Sequence, residues 1–403
     1  MITYGEVFAG IGAARAAFGS LGWYDQYVIE KSNPALAQYL YNWDREFRDV
    51  VDSQSLNHKE ILDLTRIWSN NKLYRNLYNV NREVMLQGRA NFDVDVCMTS
   101  PPCQSFSVAG KRDGLKNKGD LFFETHRFLE LTQPKCFILE NVPGMMNLEE
   151  DINYDNLARA KSKSDIWKYK SELFPKYVPR RTFYDIILPS LGKTANSIKF
   201  PRRKSFRIWV WREEHNQIVS MKPLPYRLFF RKIDATSFGS PMSRTRVIII
   251  GFREDLNIKR FDWKVPVVIK TKDVLDFIEP NRPYSDDFRF RPFYPGEPYH
   301  TNALYARKVV DPQGLHLRSD KAEPYVSTLV TRIDPARSTV VRNERGNYRS
   351  FADEQMRRLM GFPDGFVSNV VSESASIVNY GNSIYVPMLK HIGKRIQDTL
   401  KIK

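Results

Sequence analysis

Residues 4–30 read YGEVFAGIGAARAAFGSLGWYDQYVIE, and the fold class follows from this stretch. An apolar run ends at Gly10 and Gly12, an alanine-rich stretch with helical spacing follows, and a second apolar run ends at Glu30. Strand, helix and strand in this order build a parallel sheet covered by helices. Glycines in the first turn let a ligand approach the backbone, and an acidic residue about 20 positions further on binds ribose hydroxyls in nucleotide-binding proteins. Because residues 13–15 read AAR and lack the third glycine of a dinucleotide site, the stretch predicts a smaller adenosine ligand.

The same alternation of apolar runs and helical patterns continues along the chain. Asp52 is expected to end the third strand. Further strands are predicted at residues 95–100, 136–141, 227–233 and 246–252. Their continuous apolar character is typical of strands buried on both faces. The sequence therefore predicts an α/β fold around a largely parallel sheet.

The composition changes after Arg253. Prolines, arginines and aromatic residues dominate from residue 254 to about 348, and helical patterns return near the C-terminus. We therefore expect a larger domain of residues 1–253 and 349–403 and a smaller, loop- and β-rich domain of residues 254–348. A basic insertion at about residues 192–226 contains two β-rich runs around a polar turn, which predicts a hairpin.

Basic residues outnumber acidic residues, 62 against 46. The excess is concentrated between Lys168 and Lys232, where sixteen basic and four acidic residues lie. Positive charge of this size attracts phosphates and predicts a polyanionic partner such as nucleic acid. Aromatic residues are interleaved with the charge around Trp209 and Trp211, so the hairpin is either an added DNA or partner surface or a packing elaboration.

The three cysteines, Cys97, Cys103 and Cys136, lack the paired spacing of a disulfide framework or a zinc site. Cys97 and Cys136 lie inside apolar strands and are predicted to be buried and inert.

No apolar run approaches the ~18 residues of a membrane span, and the N-terminus lacks the pattern of a signal peptide. These features predict a cytoplasmic protein in a reducing compartment that binds neither membrane nor metal.

Chemically active residues stand at the predicted strand ends. Cys103 follows two prolines in TSPPCQSFS (residues 99–107), and because proline fixes φ, the chain that carries the sulfur is pre-aimed. The next strand ends, and another begins, with residues that could converge on the same edge of the sheet: Glu140, Asn141, Arg244 and Arg246.

Together, and in this order, these motifs resemble the DNA (cytosine-5) methyltransferase family. FAGIG (8–12) is similar to the family's S-adenosylmethionine loop, and PPCQSFSVAGKRDG (101–114) to its nucleophile and mobile catalytic loop. GDLFFETHRFLELTQPKCFILENV (119–142) is similar to the helix and glutamate strand that follow. FGSPMSRTRVIIIGF (238–252) resembles the arginine motif, RRLMGFPDGF (357–366) the segment after target recognition, and YGNSIYVP (380–387) the closing motif that returns to the cofactor. The resemblance leaves out the second domain and the insertions.

The resemblance implies a Rossmann-like methyltransferase fold, with a mixed, mostly parallel sheet, helices on both faces and a small target-recognition domain. It implies methyl transfer from S-adenosyl-L-methionine to carbon 5 of a cytosine flipped out of a specific sequence of double-stranded DNA, with S-adenosyl-L-homocysteine as product. Cys103 would attack carbon 6, because a thiolate both adds to the ring and leaves again. Glu140 would hold a proton at ring N3, Arg246 would bind the base O2 and orient Glu140, and Arg244 would support the site or contact the DNA backbone. Asn141 completes the expected catalytic set.

The family's cofactor contacts carry over to the first turn, the strand ends and the closing motif: Phe8, Gly10, Ile11, Gly12, Glu30, Asp52, Pro102, Leu121, Asn382 and Ile384. Glu30 and Asp52 would bind ribose and adenine edges, and Phe8 and Ile11 would pack on the adenosine. DNA contacts are expected from the catalytic loop and the second domain: Ser105, Ser107, Lys111, Arg112, Thr328, Leu329 and Arg332. Residues 105–118 would close over the flipped base, with hinges at Gly110, Gly114 and Gly119. Base readout is expected from arginines of the second domain: Arg318, Arg332, Arg337 and Arg342.

Two positions depart from the family pattern. Met242 stands where glutamine is usual. Ala109 stands where some members have a serine that fills the gap left in the duplex by the flipped base. The residues that assist base flipping in this chain therefore stay open.

An RNA (tRNA) cytosine-5 methyltransferase on the same scaffold and a non-catalytic DNA-binding relative are the alternative readings. We expect a monomer in a bacterial or phage-infected bacterial cell; functional pairing with a cognate restriction endonuclease stays open.

Overall fold

The computed structural model describes residues 1–77, 80, 91–102, 120–147, 149–150, 181–194, 208–212, 217–266, 291–292, 308–311, 314–317, 325–329, 339–342, 348–349 and 351–401. The strands are β1 (Thr3–Val7), β2 (Tyr24–Ile29), β3 (Leu73–Tyr74), β4 (Val96–Thr99), β5 (Cys136–Asn141), β6 (Glu149–Glu150), β7 (Arg181–Thr182), β8 (Lys193–Thr194), β9 (Ile208–Arg212), β10 (Gln217–Met221), β11 (Tyr226–Asp234), β12 (Thr245–Arg253), β13 (Arg291–Pro292), β14 (Lys308–Asp311), β15 (Gly314–Leu317), β16 (Thr339–Arg342) and β17 (Tyr348–Arg349). The α-helices are α1 (Ala13–Gly19), α2 (Asn33–Trp43), α3 (Arg45–Ser53), α4 (His58–Ile67), α5 (Asp120–Thr132), α6 (Phe183–Leu191), α7 (Asp353–Met360), α8 (Glu373–Asn382) and α9 (Val386–Leu400).

An eight-stranded sheet in the order β3-β2-β1-β4-β5-β12-β11-β8 forms the centre of the fold. Strand β12 runs antiparallel to both of its neighbours, whereas the other pairs of strands are parallel. The parallel strands therefore end, and β12 begins, at one edge, which we call the upper edge; the opposite edge is the lower edge. This mixed, mostly parallel sheet confirms the predicted fold class.

Strands β5 and β12 are buried almost along their whole length, as their continuous apolar runs predict. Helices α1 and α9 contact each other on one face of the sheet. They approach closely at Gly393, where a Cβ atom would lie 2.9 Å from the ring of Phe18. On the other face, the buried side chains of α5 and α6 pack in a second apolar cluster with β5 and β12.

A separate five-stranded sheet in the order β13-β15-β14-β16-β17 lies within residues 291–349 and so reaches one residue past the expected end of the smaller domain at residue 348. Phe261 and Trp263, which follow the expected boundary at residue 254, pack against the core of the larger sheet. Strands β9 and β10 pair antiparallel with Trp211 opposite Ile218, so the predicted hairpin is confirmed. Among the described helices, none combines the length and the apolar composition of a membrane span.

Candidate active site

Glu140 and Arg246 form an ion pair at the upper edge of the sheet. Nε of Arg246 donates to Oε1 of Glu140 at 2.8 Å, and Oγ of Ser100 donates to Oε2 at 2.5 Å. Glu140 is the penultimate residue of β5 and pairs with Ile248 of the antiparallel neighbour β12. Arg246 lies two positions before Ile248 and therefore on the same face, so strand pairing brings Arg246 and Glu140 together. Glu140 is 5% and Arg246 8% exposed. These two hydrogen bonds hold the Glu140 carboxyl group in one orientation, and its oxygens can still accept a hydrogen bond from a ligand.

Asn141 ties the end of β5 to the turn that precedes Cys103. Its Nδ2 donates to the carbonyl of Pro101 at 3.0 Å, and its Oδ1 accepts from the amide of Val142 at 2.8 Å. The amide of Ser100 donates to the carbonyl of Val7 at 3.3 Å. The chain is therefore anchored two positions before Cys103, which itself lies outside the described residues.

Arg244 is fully buried and joins three segments. Its Nη1 donates to the carbonyl of Leu329 at 2.8 Å, and its Nη2 donates to the carbonyl of Gly381 at 2.8 Å and to that of Ser383. A guanidinium without exposed surface cannot reach a DNA backbone, so that part of the expectation for Arg244 is wrong. The residue instead holds residues 325–329, part of the expected second domain, against the closing motif.

Replacing Arg244 with methionine is expected to destabilise the fold by roughly 3 kcal/mol, because buried carbonyl groups lose their donors. The lysine variant should recover part of this loss, since an ammonium group can still donate, although it cannot reproduce the planar fork of arginine. The midpoint of thermal unfolding measures both variants. A methionine variant as stable as the wild type would show that the three carbonyl groups do not depend on Arg244.

A cleft lies between the first turn and the closing motif and includes four of the predicted cofactor residues. Its lining consists of Glu6, Val7, Phe8, Ala9, Gly10, Ala13, Ala14, Met98, Ser100, Asn382, Ser383 and Ile384. Phe8 adopts a positive φ of 59°, a conformation that costs a non-glycine residue energy and is concentrated at ligand sites. A Cβ atom on Gly10 would meet nothing within 4 Å, so the space in front of this glycine is open.

Glu30 follows β2 and fixes the first turn. Its Oε2 accepts from the amide of Gly10 at 2.8 Å, and its Oε1 accepts from the amide of Ser32 at 2.6 Å. Burial raises the pKa of the Glu30 carboxyl above its usual value, while these two bonds act in the opposite direction. A carboxylate has about four lone-pair positions, so each oxygen retains capacity for a further donor.

Ile11 and Gly12 face away from the cleft lining. The side chain of Ile11 is 1% exposed and packs in the apolar core, which corrects the expectation that it packs on an adenosine. A Cβ atom on Gly12 would lie 2.4 Å from Nε1 of Trp43, so this glycine is required by packing. Pro102 and Leu121 are half-buried and are not among the residues that line the cleft.

Asp52 does not end a strand. It lies on the exposed face of α3, where its Oδ1 accepts from the hydroxyl of Tyr41 at 2.8 Å. The third strand is β3, and the amide of Glu30 donates to the carbonyl of Tyr74 there at 3.1 Å. The expectation is wrong because a short apolar run can belong to a strand or to a helix.

Thr328 and Leu329 are anchored to the arginine motif. The hydroxyl of Thr328 donates to the carbonyl of Ser243, and the amide of Leu329 meets Sδ of Met242 at 3.4 Å. Met242 is fully buried, and its thioether contacts the chain at Leu329. The other expected DNA-contacting and hinge residues lie outside the described residues, as does the position of the family's serine: Ser105, Ser107, Ala109, Gly110, Lys111, Arg112, Gly114, Gly119, Arg318, Arg332 and Arg337. Arg342 lies in β16.

Glu6 is a buried carboxyl group of the cleft that was not predicted from the sequence. It lies on β1, is 1% exposed and accepts from the hydroxyl of Tyr39 at 3.2 Å. Burial raises the pKa of Glu6 to about 8, against the opposing charge of Arg15. The signal in the sequence was an acidic residue in the middle of an otherwise apolar strand.

The Glu6→Gln variant is expected to lose less stability than the wild type as pH rises from 5 to 8. In this range Glu6 is ionised in the unfolded chain but still protonated in the folded protein, so folding stability falls with rising pH. The contribution is on the order of a few kcal/mol. Denaturant unfolding at both pH values measures it, and equal pH dependence in the two proteins would contradict the assignment.

Comparison with known proteins places the chain in a family. The family of C-5 cytosine-specific DNA methylases matches residues 2–170 and 212–398. The Type II methyltransferase M.BsuFI of Bacillus subtilis is 25% identical over 99% of this chain and 73% of its own length. The Type II methyltransferase M.HpaII of Haemophilus parainfluenzae is 22% identical over 99% of this chain and 90% of its own length. The structure of the Entamoeba histolytica methyltransferase EhMeth shares the fold, with a TM-score of 0.57 over 99% of this chain and 98% of that chain at 12% identity.

The chain therefore belongs to the C-5 cytosine-specific DNA methylase family. It is a DNA (cytosine-5-)-methyltransferase, an enzyme that transfers a methyl group to carbon 5 of cytosine in DNA. No group of three or more His, Cys, Asp or Glu side chains within the described ranges is arranged to hold a metal ion.

Proposed function

We propose that the enzyme takes its methyl group from S-adenosyl-L-methionine held in the cleft and transfers it to a cytosine flipped out of a specific sequence of duplex DNA. The main support is the position of Ser100. Ser100 both lines the cleft and donates to Glu140, so the cofactor cleft and the Glu140–Arg246 pair are contiguous. A methyl donor in the cleft and a base at the ion pair would therefore be neighbours.

The residues of the cleft fit this cofactor. The open space at Gly10 admits a ligand to the backbone, and Glu30 keeps acceptor positions for ribose hydroxyls. The aromatic ring of Phe8, which lines the cleft, offers an apolar surface for adenine. When bound, the cofactor supplies a methyl group on a positively charged sulfur, which makes that carbon open to attack by a nucleophile.

The chain's own residues prepare the cytosine for this attack. The thiolate of Cys103 adds to carbon 6 while Glu140 holds a proton at ring N3, so carbon 5 becomes nucleophilic. Arg246 donates to the base O2 and keeps Glu140 in place. After carbon 5 has gained the methyl group, it loses its proton to a base, the bond between Cys103 and carbon 6 breaks, and the aromatic ring returns.

Carbon 6 is inaccessible inside a duplex, so the cytosine must leave the stack at a cost of about a few kcal/mol. DNA contacts have to offset this cost.

We propose that residues 1–253 and 349–403 form the catalytic domain, that residues 254–348 recognise the target sequence and that residues 105–118 close over the base. We also propose that the enzyme acts as a monomer and that it is functionally paired with a cognate restriction endonuclease, because the relatives named above are Type II methyltransferases.

Methyl transfer from tritiated S-adenosyl-L-methionine tests the function directly. Purified protein should label unmethylated duplex DNA, and bisulfite sequencing of the product should show methylated cytosine within one short sequence. Transfer to tRNA in place of duplex DNA would favour the RNA methyltransferase reading, and transfer to neither would favour the non-catalytic relative.

Replacing Glu30 with glutamine is expected to raise KM for S-adenosyl-L-methionine roughly 10- to 100-fold, the equivalent of one or two lost charge-assisted hydrogen bonds. Its effect on kcat at saturating cofactor should be much smaller. Asp52→Asn is the matched control and should leave KM unchanged, because Asp52 lies on α3 and bonds Tyr41. A rise in KM for Asp52→Asn alone would return the cofactor role to Asp52.

A further inference from the structure

Glu6 is a carboxyl group of the cleft that the proposed chemistry does not use. It lies on β1, is 1% exposed and belongs to the lining of the cleft. Among the described residues of that lining, Glu6 alone carries a side chain that ionises near neutral pH. The protonation state of Glu6 therefore sets the charge of the described cleft wall.

Strand register places Glu6 on the same face of the sheet as Glu140. Glu6 lies opposite Met98 of β4, and Met98 lies opposite Ile138 of β5, so these three side chains leave one face. Ser100 and Glu140 each follow two positions later and share that face, where they are hydrogen-bonded to each other. Strands about 4.8 Å apart, with a rise of about 3.3 Å per residue, separate the backbones of Glu6 and Ser100 by roughly 8 Å. Glu6 thus belongs to the part of the cleft that leads to the catalytic carboxyl group.

The titratable and charged groups around Glu6 come from β1, α1, β2 and α2: Tyr4, Arg15, Asp25 and Tyr39. The hydroxyl of Tyr39 donates to Glu6 at 3.2 Å, and the charge of Arg15 attracts the carboxylate, but Arg15 is itself ion-paired with Asp25. Burial outweighs this attraction and raises the pKa of Glu6 to about 8. At pH 7 the carboxyl group is therefore about nine tenths protonated, and a small added attraction is enough to ionise it.

The methyl donor and its product differ at the sulfur, which carries a methyl group and a positive charge in S-adenosyl-L-methionine and neither in S-adenosyl-L-homocysteine. A positive charge nearby favours the ionised form of a carboxyl group. We propose that Glu6 recognises the charge of the methyl donor, releasing its proton to solvent when the donor binds and taking a proton back when the neutral product is left. The carboxylate strengthens binding of the donor over the product. This role of Glu6 rests on the proposed function, in which the cleft holds S-adenosyl-L-methionine.

Isothermal titration calorimetry in two buffers of different ionisation enthalpy measures the protons released on binding. At pH 7 the Glu6→Gln variant should release roughly 0.5 to 0.9 fewer protons than the wild type with S-adenosyl-L-methionine, and the same number with S-adenosyl-L-homocysteine. The amino group of each ligand titrates equally in both proteins, so the difference between the proteins measures Glu6. From pH 6 to pH 8 the affinity of the wild type for the donor, relative to the variant, should rise roughly tenfold or more, because the bound state carries fewer protons.

Two further variants separate charge recognition from packing. Asp353 is a second carboxyl group whose pKa burial raises, but it lies on α7, outside the cleft lining, and accepts from the hydroxyl of Ser376 at 2.5 Å. Asp353→Asn should release as many protons as the wild type. Tyr39→Phe removes a hydrogen bond that favours the Glu6 carboxylate, so the pH range in which donor affinity rises should move upwards.

Equal proton release by the wild type and Glu6→Gln with both ligands would overturn this role. Loss of affinity for both ligands by the same factor would also overturn it, since Glu6 would then only shape the cleft. In either case binding of the donor by the wild type leaves the proposed function standing, whereas a wild type that binds neither ligand removes both. Thermal unfolding shows whether each variant is folded; if Glu6→Gln is not, an unshifted pH range in Tyr39→Phe refutes the role.

Discussion

Cys103→Ala is expected to abolish methyl transfer, and with it the covalent complex that forms on duplex DNA carrying 5-fluorocytosine at the target site. Without the sulfur, carbon 6 receives no nucleophile and carbon 5 keeps the low reactivity of an aromatic ring. Fluorine at carbon 5 cannot leave as a proton does, so the wild-type reaction stops as a protein–DNA adduct. Denaturing gel electrophoresis shows this adduct, and tritium transfer measures the rate.

Cys97→Ala serves as the matched control for the cysteine experiment. Burial raises the pKa of the Cys97 thiol to about 12 and raises that of Cys136 well above its ordinary value, so both remain protonated and unreactive. The control should retain transfer and adduct formation, within the small stability loss of a buried thiol. Normal methylation by Cys103→Ala would refute the covalent mechanism.

Glu140→Gln is expected to lower kcat by roughly 10²- to 10⁴-fold, the range found for loss of a positioned proton donor. Glutamine preserves the size of the side chain, and its amide can still meet Ser100 and Arg246, but it cannot hold a transferable proton at ring N3. The reduction should appear in single-turnover methyl transfer, whereas DNA affinity should change much less.

Glu254→Gln makes the same chemical change away from the upper edge. Glu254 lies beyond the lower end of β12, where its carboxylate pairs with Lys193 at 3.0 Å, and an exposed pair of this kind contributes little to stability. Transfer by this variant should equal that of the wild type. A Glu140→Gln enzyme with normal single-turnover rates would remove Glu140 from the chemistry.

The sequence predicted the sheet and the meeting of Glu140 with Arg246 because both depend on strong local signals. Strands β5 and β12 are continuous apolar runs, and the polar residues at their adjoining ends must meet once the strands pair. Burial of Arg244 could not be predicted in this way. Its partners Leu329 and Ser383 are 85 and 139 positions away in the chain, and nothing near Arg244 in the sequence specifies them.

Asp52 and Glu6 show the same limit of local reasoning. The run that contains Asp52 is too short for its period to separate a strand from a helix, and the structure places it in α3. Glu6 becomes buried because α2 brings Tyr39 over β1, a contact set by packing between elements. Glu6, like the burial of Arg244, was overlooked because its environment is set by a distant part of the chain, whereas Asp52 was placed wrongly because its local pattern fits both a strand and a helix.

Arg244 has a thermodynamic consequence for how strongly one bound ligand affects the binding of the other. One guanidinium group holds Leu329, next to the expected recognition loops, and Ser383, in the wall of the cleft, so the two segments cannot shift independently without breaking its hydrogen bonds. Ligands that favour the same arrangement of these segments must bind cooperatively. By linkage, the factor by which a filled cleft strengthens DNA binding equals the factor by which bound DNA strengthens retention of the methyl donor.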